Sequence, residues 1–191
     1  MVQSLDIRRW LGEVAGEAHV VIVFTDIVSS TKANNELGDL AMDEIKEAHF
    51  ATLSRNAAHY KGRILKNTGD GVLAIFRTTP PAVQFALSSA RAPGHDEVRI
   101  RAGIHVGRVK PKDNDIFGQT VNFAARVQSS LLDSGVILSD DAKRDLERIH
   151  GKKQEFFGFK IREEQELKGF DGKYTLWLIE RYSEGYLESV R

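Results

Sequence analysis

The chain has no cysteine, which excludes disulfides and thiolate metal sites and fits a reducing compartment such as the cytoplasm. It also lacks a net charge. With 27 basic residues against 27 acidic ones, no global field recruits nucleic acid or a membrane. No apolar run reaches the roughly 18 residues that suggest a membrane span, and no basic-then-apolar leader opens the chain. The expectation is a protein that neither inserts into a membrane nor is exported by that route. Internal repeats and low-complexity segments are missing as well. What is there is 191 residues, enough for one domain with a core of its own.

The chain is organised around Val20 to Thr31, Val-Val-Ile-Val-Phe-Thr-Asp-Ile-Val-Ser-Ser-Thr. Val20 to Phe24 is β-branched except at its last residue, which predicts a strand buried on both faces. Asp26 follows, then Ser29, Ser30 and Thr31, typical helix-capping residues. A strand leading through a carboxylate into a helix start suits polyphosphate: the carboxylate can hold Mg²⁺ and free N–H groups can face phosphate oxygens. A plain cap at Asp26 is the competing reading. Further on, Arg63 to Thr68 and Val72 to Phe76 predict two strands around Gly69-Asp70-Gly71, a hairpin signal with Asp70 at the tip. Alone, Asp70 is a turn former. If the strands are neighbours, Asp26 and Asp70 meet at one end of a sheet, where paired carboxylates repel unless cations neutralise them.

The remaining segments supply the frame. Met1 to His19 is mixed and charged, with Leu5, Trp10 and Leu11, and reads as a short helix or lead-in, or the end of a linker to a sensor domain. Asp39 to Tyr60 is helical, with Ile45, Ala48, Leu53 and Ala57 on one face. His49 and His59 lie ten positions apart, match no metal-ligand spacing, and are expected at the surface or its rim. Pro80 to Ala90 is a second helix, ended by Pro93-Gly94. Val98 to Val106 alternates as a half-buried strand, with Arg99, Arg101 and His105 on its polar face. A polar loop, Lys110 to Asn114, leads to a helix from Gln119 to Leu132. Val121, Ala124, Ala125, Gln128 and Leu132 lie on or near its packed stripe, and Asn122 and Arg126 stand one turn apart. Val136 to Ser139 is a short strand, and Ser139 caps a helix through Arg148. Gln154 to Ile161 and Tyr174 to Ile179 form a closing hairpin.

Four stretches together carry a resemblance: Phe24-Thr-Asp-Ile-Val-Ser-Ser-Thr31, Asn67-Thr-Gly-Asp-Gly71, Arg101-Ala-Gly-Ile-His-Val-Gly107, and Phe117-Gly-Gln-Thr-Val-Asn-Phe-Ala-Ala-Arg126. In that order they resemble the class III nucleotidyl cyclase catalytic domain, over about Val20 to Glu180. The resemblance implies an α+β fold with a ferredoxin-like βαββαβ core, a mainly antiparallel sheet covered by helices, and additional C-terminal strands and a helix. It implies a lead-in over residues 1–19 and a catalytic domain over 20–191. Asp26 and Asp70, with Ile27, match its metal site for two Mg²⁺ or Mn²⁺ ions. Lys66 and Asp115 match its adenine-reading pair, and Asn122 and Arg126 the pair that orients the ribose and stabilises the transition state. Ser29, Ser30 and Thr31 match its phosphate turn, and Lys168 a phosphate-binding lysine. A head-to-tail homodimer with shared sites follows, in which the short Lys110–Asn114 loop makes a reduced dimer arm. A regulatory domain in a longer protein is compatible with it.

The chemistry of the residues agrees. Lysine can donate to adenine N1, whereas guanine N1–H needs an acceptor; Asp115 can accept from the adenine amino group, whereas guanine O6 is itself an acceptor. The expected activity is therefore adenylate cyclase, ATP to 3′,5′-cyclic AMP and pyrophosphate. The alternatives are a guanylate cyclase and a non-catalytic nucleotide-binding regulatory module of the same fold. A diguanylate cyclase is opposed by the absence of a Gly-Gly-Asp-Glu-Phe motif.

Overall fold

The apolar run forms the middle of the sheet. In the computed structural model, which describes residues 7–12, 14, 16–30, 34–35, 38–150, 156–183 and 185–186, Val20 to Val23 are buried. The strand that contains them, β1 (Ala18–Ile27), is paired on both edges. On one side it runs antiparallel to β3 (Val72–Phe76), with Phe24 opposite Leu73. On the other it runs antiparallel to β4 (Ile100–Lys112), with Asp26 opposite Arg101. β2 (Arg63–Asn67) pairs with β3 outside it. With the helices α2 (Asp39–His59) and α3 (Thr79–Arg91), these elements complete the expected βαββαβ core.

The C-terminal part widens the sheet. β6 (Gly135–Ser139) adds parallel to β4, and the hairpin of β7 (Phe157–Gln165) and β8 (Tyr174–Tyr182) adds antiparallel to β6. The strand order is β2-β3-β1-β4-β6-β8-β7. α5 (Asp140–His150) starts directly after β6, where Ser139 Oγ accepts from the Ala142 amide at 3.2 Å, the expected N-terminal cap.

Each face carries its own core. Val21, Val23, Ala102, Ile104 and Leu138 meet Leu53, Phe85, Ala142 and Leu146, so α2, α3 and α5 cover one face. Val20, Ile22, Leu73, Ile75 and Val109 meet Ile7 of α1 (Ile7–Leu11), Ile116, and Ala124 of α4 (Gln119–Ser129) on the other. α4 lies close against β4: a Cβ at Gly103 would run into the backbone of Gln128, and one at Gly107 into Thr120. Trp10 of α1 sits between the guanidinium groups of Arg63 and Arg77, each 5.2 Å from its ring centroid.

Several expectations need correction. β4 begins at Ile100, not Val98, and is buried on both faces, because α4 covers the side that the alternation marks as polar. His105 therefore lies inside, 7% exposed. The expected loop at Lys110–Asn114 is mostly strand: β4 continues to Lys112 and turns at Asp113 and Asn114, both at positive φ, into β5 (Asp115–Phe117). His49 is fully buried, not a rim residue, since the Pro93-Gly94 turn folds over α2 and the His49 Nδ1–H donates to Pro93 O at 2.8 Å. α4 stops at Ser129, which leaves Leu132 78% exposed and gives its packing place to Leu131. Thr31, Leu5, Gln154 and Glu155 lie outside the described residues.

Candidate active site

Two tethers bring Asp26 and Asp70 together. The Ile27 amide donates to Asp70 O at 3.1 Å, and the Val72 amide donates to Thr25 Oγ1 at 3.0 Å. Between them Gly71 lies against the Thr25 carbonyl with no room for a Cβ, so the hairpin tip rests on the end of β1. The side chain of Ile27 is buried in the core. Ser30 Oγ donates to Asp70 Oδ2 at 2.6 Å. Ser29, exposed beside it, takes the left-handed conformation at φ 58°.

The electrostatics of the pair are opposed. Burial and the hydrogen bond with Asp70 push the Asp26 carboxyl up to about 6, against the pull of Arg101. Burial also pushes Asp70 up, but its hydrogen bonds with Asp26 and Ser30 outweigh that and hold it below the usual carboxylate range. Two carboxylates sharing one proton is the response of a like-charge pair too close for both to ionise. A divalent cation would serve the same end. The donors are oxygens throughout and, among the described residues, no third His, Cys, Asp or Glu joins them. That set fits Mg²⁺ or Mn²⁺, which keep water or phosphate oxygens in the remaining positions.

Arg101 is the residue that sequence reasoning missed here. Its Nε donates to Asp26 Oδ2 at 2.8 Å, its Nη2 donates to the same oxygen, and its Nη1 donates to Leu131 O at 3.0 Å. The alternation of β4 put Arg101 on a polar face; only the register, which sets it opposite Asp26, gives it a partner.

The second cluster joins residues distant in the chain. Lys66 Nζ, on β2, donates to Asp115 Oδ2, on β5, at 2.6 Å. Asp115 is further held by the Ile116 amide, which donates to its Oδ1 at 2.9 Å. The β4–β5 arm reaches Lys66 because Ile116 is buried in the same core as Leu73, with Leu65 packed against it. On α4, Asn122 is exposed and Arg126 half-buried. Among the described residues neither bonds to the carboxylate pair or to Lys66 and Asp115. Lys168 is exposed in the β7–β8 connection and is brought to neither cluster.

Residues 13–181 match the model of the adenylate and guanylate cyclase catalytic domain. The chain is 32% identical over 119 residues to an adenylate cyclase of Glutamicibacter nicotianae, covering 61% of this chain and 29% of that one. It is 30% identical over 128 residues to an adenylate cyclase of Streptomyces coelicolor, covering 66% and 33%. It thus spans about a third of the length of the curated relatives it matches. Among solved structures, the adenylyl cyclase CyaB from P. aeruginosa superposes with a TM-score of 0.72 at 20% identity, covering 88% of this chain and 96% of that one. The catalytic core of a rhodopsin-guanylyl cyclase with converted specificity, in complex with ATPalphaS, superposes with a TM-score of 0.74 at 22% identity, covering 86% and 97%. The family match spans β1, the Asp70 hairpin, the β5 arm and α4 alike, and with it the chain belongs to the adenylate and guanylate cyclase catalytic domain family.

Proposed function

We propose that the protein is an adenylate cyclase that converts ATP to 3′,5′-cyclic AMP and pyrophosphate. The observation that carries the base choice is the contact between Lys66 Nζ and Asp115 Oδ2 at 2.6 Å. A donor and an acceptor side by side match the edge of adenine, where N1 accepts and the neighbouring amino group donates. Guanine presents the reverse polarity and would leave both charged groups mismatched, the kind of error a site rejects strongly. Both adenylyl and guanylyl cyclases appear among the structural neighbours, so the fold does not decide and base choice falls to these two side chains.

Asp26 and Asp70, with Ile27, would hold two Mg²⁺ or Mn²⁺ ions. When bound, such a pair lowers the pKa of the ribose 3′-hydroxyl and neutralises the triphosphate. The 3′-hydroxyl gives up its proton to solvent and its oxygen bonds to the α-phosphorus while the bond to pyrophosphate breaks. Asn122 orients the ribose. Arg126 meets the charge that grows on the α-phosphoryl oxygens, where one such donor is worth on the order of 10²–10³ in rate. Ser29, Ser30, Thr31 and Lys168 are assigned to the phosphates. Ser30 has a second duty, since its hydroxyl is bonded to Asp70.

The working form is a head-to-tail homodimer, in which one protomer supplies Asp26 and Asp70 and its partner supplies Lys66, Asp115, Asn122 and Arg126. Exposed Phe117, at the end of the β5 arm, and exposed Leu132, next to the carbonyl that holds Arg101, offer apolar contacts beside the two halves. Residues 20–191 form the catalytic domain and 1–19 its lead-in, to which a regulatory domain of a longer protein would attach. The enzyme is assigned to the cytoplasm, where ATP is available; no helix among the described residues is long and apolar enough to cross a membrane.

The test is direct. The purified chain is incubated with Mg²⁺ or Mn²⁺ and with ATP or GTP side by side, and the products are read by mass spectrometry. Cyclic AMP in large excess over cyclic GMP is expected. Preferred formation of cyclic GMP would overturn the base assignment, and tight nucleotide binding without any cyclic product would make the chain a regulatory module.

A further inference from the structure

On the flank of α4 that faces β6 and β8 lies a cavity of about 520 Å³, within the range of small-ligand sites. None of the residues assigned to the cyclase site lines it. Its floor is His105, whose Nδ1 is bonded to Ser139 Oγ at 2.8 Å. Ser139 Oγ also accepts the Ala142 amide. The other ring nitrogen, Nε2, makes no hydrogen bond among the described residues, and His105 as a whole is 7% exposed.

The walls are aromatic. Phe123 packs on His105 with centroids 4.6 Å apart, and Phe170 and Tyr174 each meet Phe123 edge-on at 5.0 Å. The charges at the mouth have one sign left over. Lys173 is committed to Glu164. Asp140 is committed to Arg144 at 2.7 Å and to the Trp177 indole at 3.0 Å. Asp141, exposed in the first turn of α5, has no ion pair or hydrogen bond among the described residues.

We infer that this cavity binds a small aromatic amine in its protonated form. Its ring would stack among Phe123, Phe170 and Tyr174 over the His105 edge, and its ammonium would face the unpaired Asp141. The lining carries two carboxylates, Asp140 and Asp141, against one lysine, Lys173, a balance that disfavours an anionic ligand and separates the site from any phosphate subsite.

Benzylamine, benzyl alcohol and benzoate share one ring and differ in charge, so the three are titrated into the ¹⁵N-labelled full chain and followed by amide shifts. Benzylamine is expected to saturate, with shifts at Phe123, Ser139 and Tyr174, and to bind at least tenfold tighter than benzoate. Asp141→Asn should narrow that preference about threefold or more, whereas Asp133→Asn, an exposed carboxylate outside the cavity, should leave it unchanged. Benzoate binding as well as benzylamine, shifts that map elsewhere, or no saturation by about 20 mM would each overturn the inference. The ranking on the unaltered chain decides even if a variant fails to fold, and it does not depend on cyclase activity.

Discussion

The two charged clusters at this site are built on opposite electrostatic plans. Asp26 and Asp70 are a like-charge pair, and the Asp26 side chain is only 16% exposed beside Arg101. Lys66 and Asp115 are an opposite-charge pair, with side chains 45% and 26% exposed. The first is a strained pair: burial sets its carboxylates against each other, and a proton, Arg101, the Ser30 hydroxyl or a metal relieves them. The second is already satisfied, and an ion pair so exposed is worth only about 0–1 kcal/mol. It can therefore open to share its donor and acceptor with a purine at little cost. One cluster creates a demand for cations, while the other stores a hydrogen-bond pattern until a base arrives.

That contrast can be broken most severely at Asp70. Asp70→Asn should abolish turnover and weaken Mn²⁺ binding while circular dichroism stays that of the parent; activity with normal metal dependence would leave Asp70 a mere turn residue. Next comes the division between protomers. Asp26→Ala and Arg126→Ala should each be nearly inactive, Arg126→Ala by about 10²–10³. Co-expressed, they should recover roughly a quarter of the parent cyclic AMP production, since random pairing makes half the dimers mixed with one intact site of two. No recovery, with subunit exchange shown independently, places both residues in one chain's site.

The satisfied pair yields a change of preference in place of a loss. Lys66→Glu with Asp115→Cys should cut ATP turnover sharply and raise relative use of GTP. An unchanged ATP:GTP ratio of kcat/KM would remove both residues from base reading. The mildest effect is expected at Ser30. Ser30→Ala should raise the Mn²⁺ concentration for half-maximal binding several-fold, and Ser30→Thr should restore it, because the hydroxyl aims Asp70. A raised KM for ATP with unaltered Mn²⁺ binding would assign Ser30 to phosphate alone.

How much of this was legible depended on the range of the information. The succession of strands and helices follows from local periodicity and turn residues, their βαββαβ arrangement in one sheet from the family resemblance, and the meeting of Asp26 with Asp70 from a hairpin beside a buried strand once the two are neighbours. Arg101 could not be found that way, because its partner is fixed by the register between β1 and β4. His105 and His49 were misplaced for one reason: alternation reports that a face is polar, not that a helix or turn will cover it. Gly103 and Gly107 hold the missing signal, since two glycines on one strand mark where α4 approaches. The arm was underestimated because Lys110 to Asn114 is polar, yet Pro111 and Ile116 pair across it.

The central position of β1 also has a consequence for synthesis. β1 is complete at Ile27, but its two neighbours start only at Val72 and Ile100. At roughly 5–20 residues per second, the second edge stays open for on the order of 4–15 s after β1 has been made. Throughout that time the nascent chain carries the apolar run Val20 to Phe24 with at least one edge unpaired, since β3 can close only the other. The same delay means that Asp26 has no Arg101 to shield it until more than half the chain has been translated. The emerging N-terminal half therefore exposes an unpaired edge of β1 well before any metal or nucleotide is met.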